Sequence, residues 1–85
     1  MELIIHFNAL PEHLTLDMVR ADLADLLEDD GWLTGSGLNY LELELEDEKV
    51  NPKYGILTVK NYLQTAKFAP DTTIELAGTP VGIYE

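Results

Sequence analysis

Few side chains in this sequence could do chemistry, and one stretch dominates them. Leu41, Leu43 and Leu45 alternate strictly with Glu42, Glu44 and Glu46. On a strand, that period of two sets the leucines on one face and the carboxylates on the other. A row of carboxylates can hold a hard cation, attract a basic protein surface, or do acid–base work if a pocket encloses it. The remaining candidates are sparse. His6 falls on the polar face of a strand and His13 in a loop, and neither has a second histidine at metal-ligand spacing. Ser36, the only serine, sits in Gly35-Ser36-Gly37 ahead of a strand. A nucleophile elbow or a phosphate loop leads into a helix instead. The chain has no cysteine, which excludes disulfides, thiol nucleophiles and cysteine-based zinc sites.

Charge is segregated along the chain. Twelve acids and one arginine, Arg20, lie between Glu12 and Glu48, whereas Lys49 to Pro70 holds four lysines and no acid. Glu28, Asp29 and Asp30 crowd the end of a helix, where the dipole disfavours negative charge by about 0.3–1 kcal/mol for each exposed group. The helix end therefore either tolerates that cost in water or meets a cation or a basic partner. The acids from Asp25 onward do not fit a calcium loop. Leu27 takes a ligand position, Asp30 the turn glycine and Ser36 the closing glutamate. No metal and no cofactor is expected. Trp32, the only tryptophan, follows the acidic cluster. Core packing is the plainer role for it, and an exposed interface anchor the alternative.

The elements that must position these groups follow from periodicity. Residues 2–8 read as a strand with Leu3, Ile5 and Phe7 inward. Thr15 is a helix N-cap, the apolar stripe runs Leu16, Val19, Leu23, Leu26, Leu27, and Gly31 is the expected stop. A loop containing Trp32 leads to the acidic strand at 38–47. Asn51-Pro52 opens a second helix with Ile56, Val59, Leu63 and Ala66 on one face, and Pro70 ends it. Lys53, Lys60 and Lys67 repeat every seven residues along this helix, as Asp22 and Asp29 do on the first. Side by side, the two stripes would meet as surface ion pairs. A hairpin closes the chain, with Ile74, Leu76, Val81 and Ile83 inward.

The expected fold is a single α+β domain, residues 1–85, in β-α-β-α-β-β order. It is a two-layer sandwich with a mixed four-stranded sheet and both helices on one face. The glutamate face then lies open to water, joined by Glu2, Ile4 and His6 and by Thr73 and Glu75. A ferredoxin-like β-α-β-β-α-β order is the alternative, placed against an extra strand between 47 and 53. The first order is similar to that of the carboxy-terminal domain of bacterial translation initiation factor three, of Alba-type chromatin proteins and of TusA-like sulfur carriers. It shares element order with them and no motif. The first two bind nucleic acid through basic surfaces, and the carriers use a Cys-Pro motif absent here, so the likeness bears on the fold alone.

At 85 residues, 46% hydrophobic and 25% charged, the composition is that of a small globular domain. A net charge of −11 repels phosphate backbones, so no nucleic-acid partner is expected. No apolar run approaches the roughly 20 residues of a membrane span, and the amino-terminal residues lack a signal-peptide pattern. A cytoplasmic location and no membrane association are the expectations. The reading is a non-enzymatic interaction domain, inhibitor- or immunity-like, that offers Glu28, Asp29, Asp30, Trp32, Glu42, Glu44 and Glu46 to a basic protein. A homo-oligomeric scaffold or regulatory module is the alternative. A small carboxylate-dependent enzyme or cation-binding protein comes third.

Overall fold

The computed structural model describes residues 1–48 and 51–84; Lys49, at the start of the lysine-rich half, and the side chains of Asp29 and Pro52 lie outside the described residues. Strand β1 (Glu2–His6) leads through a link to helix α1 (Leu16–Leu27). A 3-10 turn at Glu28–Asp30 delivers the chain into β2 (Gly31–Ser36), which folds back as β3 (Tyr40–Leu45). Helix α2 (Pro52–Thr65) and the hairpin β4 (Thr73–Leu76) and β5 (Thr79–Gly82) complete it. The strands form one antiparallel sheet in the order β2-β3-β1-β4-β5.

Alternation decides the layering. Leu41, Leu43 and Leu45 are buried together with Leu3 and Ile5, while their neighbours in sequence face outward. Val19, Leu23 and Leu27 of α1 and Val59 and Leu63 of α2 close over them from one side. Each such side chain contributes about 1.5–3 kcal/mol by leaving water. A one-residue slip of β3 would put glutamates into that core, so its register is strongly specified. Phe7 and Phe68 meet edge to face at 6.1 Å where the core ends.

The sheet has five strands where four were expected, and it is antiparallel throughout rather than mixed. The added strand is β2, assigned from sequence to a loop because of its glycines. Gly31 is in fact required for space, since a Cβ there would lie 2.9 Å from the Glu44 carbonyl oxygen. Close approach of two backbones, not a turn, is what this glycine serves. A bulge between Leu33 and Gly35 then breaks the alternation that would have revealed a strand. The order becomes β-α-β-β-α-β-β, so the element-order likeness to initiation factor, Alba and sulfur-carrier domains no longer holds. The first six elements follow the ferredoxin-like alternative, with the extra strand before the acidic one rather than after it.

Both expected N-caps form. Met18 N–H donates to Thr15 Oγ1 at 3.2 Å and Lys53 N–H to Asn51 Oδ1 at 3.0 Å. Both helices stop earlier than expected. α1 ends at Leu27, with Glu28 at φ 48° in place of the anticipated glycine stop at Gly31. α2 ends before Pro70, because Lys67 takes a left-handed φ of 65° and Phe68 N–H reaches back to the Leu63 carbonyl at 3.1 Å. That arrangement is a Schellman motif, driven by the burial of Phe68.

Candidate protein-interaction face

The face of the sheet away from the helices carries the candidate residues in three lines. In the first, Trp32 of β2 stands opposite Glu44 of β3, which stands opposite Glu2 of β1. The second crosses all five strands as Gly35, Glu42, Ile4, Glu75 and Pro80. The third runs Tyr40, His6, Thr73 and Gly82. Glu42 and Glu44 therefore share one face, along with Glu2, Ile4, His6, Thr73 and Glu75, as the alternation implied. Ile4 is an apolar spot between two glutamates.

Trp32 does not pack into the core; it is 51% exposed. Pairing with β3 holds its backbone, and Leu33 beside it takes the inward position opposite Leu43. The two acidic clusters, which the sequence treats as separate, converge beside it. Glu46 N–H donates to the Asp30 carbonyl at 2.8 Å, tying the end of β3 to the 3-10 turn that holds exposed Glu28 and half-buried Asp30. Asp29 lies in the same turn, its side chain outside the described residues.

One positive group tempers the field of this face locally. The Met1 ammonium lies 3.0 Å from Glu44 Oε1 and 3.3 Å from Asp47 Oδ2. Its hydrogen bond to Glu44 outweighs burial and holds its pKa above the usual value for an amino terminus. His6 Nε2 approaches Glu75 Oε1 at 3.4 Å across β1 and β4. Tyr40 faces His6 through the pairing of β1 with β3 and shares the phase of Glu42 and Glu44 on its own strand, a signal the alternation already carried. Leu38, at the tip between β2 and β3, is fully exposed.

The other side of the molecule offers an open recess of about 400 Å³ between the helices, lined by Leu26, Thr58, Asn61, Tyr62 and Thr65. Beside it Tyr62 donates from its hydroxyl to Asp22 Oδ2 at 2.8 Å. Asp22, one of the two acids expected to meet the lysine stripe, accepts this bond in the helix seam; the side chain of the other, Asp29, lies outside the described residues. At about 100° per residue, Lys53 and Lys60 fall on the flank of α2 turned away from Tyr62, whereas Lys67 lies beyond the helix end with a left-handed φ. Among the described residues, no group of three or more histidine or acidic side chains is placed to hold a metal ion. No helix among them is long and apolar enough to cross a membrane. Ser36 ends β2 opposite Leu41. Comparison with protein families, with curated proteins and with solved structures gives no match.

Proposed function

We propose that the chain is a cytoplasmic, non-enzymatic interaction domain whose open sheet face receives a basic surface of a partner protein. The observation that carries this reading is Trp32, half exposed and in register with Glu44 on a face that also holds Glu2, Glu42 and Glu75. A large aromatic ringed by carboxylates combines an anchor with a field that speeds encounter with a cationic surface. The same field opposes nucleic acid. An inhibitor or immunity protein that blocks a basic active site is the class best suited to this chemistry.

Trp32→Ala and the double variant Glu42→Gln, Glu44→Gln test it, since all three side chains are wholly or partly exposed and the core is untouched. Wild type and variants are used as bait in native lysate at low and high salt, and the bound proteins are identified. The reading expects a basic protein retained by wild type, weakened by salt and lost from both variants. Equal retention by wild type and the double variant would remove this face as the site.

A further inference from the structure

The helices cover one side of the sheet, and their own outer side is left uncovered. Met18 and Leu26 of α1 and Tyr54 and Leu57 of α2 are each 45–66% exposed. At about 100° per residue, Leu57 points nearly opposite to the core side chains Val59 and Leu63. Met18 and Tyr54 point outward beside the seam that holds Asp22 and Tyr62. Leu26 lines the open recess within that seam. Ala21 and Ala24, both exposed, keep the outer side of α1 low.

Charge divides the same layer. α1 carries Asp17, Asp22 and Asp25 against Arg20 and runs into Glu28–Asp30, whereas α2 carries Lys53 and Lys60 and no acid. A basic strip beside an acidic one complements itself; a foreign surface of either sign would match one half and meet like charge in the other. We propose that the helix layer is a self-association face. Two copies stack these layers about a two-fold axis that runs along the seam, parallel to the helices. That axis lays α1 of each copy over α2 of the other, acid on base. A two-fold across the helices would stack α1 on α1, acid on acid.

A two-fold along the seam shifts no residue along the helices, so the contacts follow from the fold. α1 crosses from β1 and α2 from β3, strands that run oppositely, so the helices are antiparallel. Asp22 and Tyr62 are level, and at the far end Gly31 and Gly55 both lie against Leu45. Counting residue for residue from there, Lys53 of one copy stands beside the Glu28–Asp30 turn of the other. The negative end of α1 then lies over the positive end of α2. Leu57 comes level with Leu27 and lies over Ala24 and Asp25. Met18 comes level with Ala66 and covers Thr65 at the rim of the recess, where a flexible thioether suits an irregular gap. Near the axis the two Met18 side chains meet. A face about 20 Å long and about 20 Å wide is at the small end for a stable dimer, so association is reversible. The inference goes beyond the partner reading, which concerns the opposite side of the sheet.

Sedimentation of the purified chain from micromolar to millimolar concentration tests it. The expected result is a reversible species of about twice the 9.5 kDa chain mass. Leu57→Glu sets a carboxylate against Asp25 and Glu28 of the other copy and should weaken association about 10-fold or more, with unchanged circular dichroism. Thr79→Glu adds the same charge at the far edge of the sheet and should weaken it less than about 3-fold. Met18→Cys, a single thiol beside the axis in a cysteine-free chain, should form a disulfide dimer faster than Leu38→Cys at the fully exposed hairpin tip. A monomer at every concentration, equal loss from the two glutamate variants, or cross-linking at position 18 no faster than at 38 would overturn the proposal. The glutamine variants at Glu42 and Glu44, on the other side of the sheet, judge the partner reading separately. A chain that stays monomeric yet retains a basic protein would overturn this proposal and support that reading.

Discussion

The contact between Tyr62 and Asp22 is the clearest case of one residue carrying a measurable load. Burial, and then the hydrogen bond to the Asp22 carboxylate, push the Tyr62 phenol well above its ordinary pKa. A tyrosinate beside Asp22 would be two like charges in partly dry surroundings. Tyr62→Phe removes a hydrogen bond to a charged acceptor at a half-buried site, and at neutral pH it should cost about 1 kcal/mol. The pH dependence follows from linkage. The folded state holds the phenolic proton more tightly than the unfolded chain, whose tyrosine titrates near about pH 10. The contribution of Tyr62 is thus fully present below that value and is lost as pH rises above it. Urea unfolding should show wild type more stable than Tyr62→Phe at pH 8, with the gap closing at pH 11. A gap that widened there would contradict the assignment of Asp22 as the partner that holds the proton in place.

At the scale of elements, the joint between α1 and β2 shows why some of the fold is legible in the sequence and some is not. The acidic strand can be read because its alternation has no exception from Leu41 to Glu46, and both N-caps because Thr15 and Asn51 act within three residues of themselves. The helix ends cannot, since they are set by tertiary demands. Phe68 must reach the core, and Gly31 must lie against β3. Glutamate and lysine consequently occupy the positive-φ positions where glycine is usual. Glu42 and Glu44 are legible as site residues from their own strand. The face on which Trp32 lies depends on pairing with β3, and three glycines and a bulge hide that pairing. This account makes paired predictions at the two ends of the joint. Glu28→Gly relieves backbone strain at φ 48° and takes a charge from the helix end, which should stabilise by about 1 kcal/mol. Gly31→Ala forces a methyl to within 2.9 Å of the Glu44 carbonyl and 3.0 Å of Leu45, and should destabilise by about 1–3 kcal/mol. Urea midpoints for the two variants should move in opposite directions. Movement the same way would mean that the joint is set by something other than space at Gly31 and strain at Glu28.

For the whole molecule, the governing quantity is a net charge of −11 on a body with a radius of gyration of only 11.7 Å. Between about 0.01 M and about 1 M salt the screening length falls from about 30 Å to about 3 Å, from beyond the molecule to well within it. At the low end every carboxylate on the sheet face feels the acids at the end of α1, and folding brings them together. The Met1 ammonium offsets this at one point, but it is partly exposed and its contacts are of modest worth. Repulsion should therefore dominate, and the urea midpoint of the wild-type chain should rise with NaCl, most steeply at the dilute end. Replacing Glu42 and Glu44 by glutamine should raise stability at low salt and flatten the salt dependence, because those carboxylates stand between Glu2, Glu75 and the acidic turn. A midpoint that fell with salt would mean that the ion pairs outweigh the repulsion. The acidic face would then be internally compensated, and it would lack the uncompensated field on which attraction of a basic partner depends.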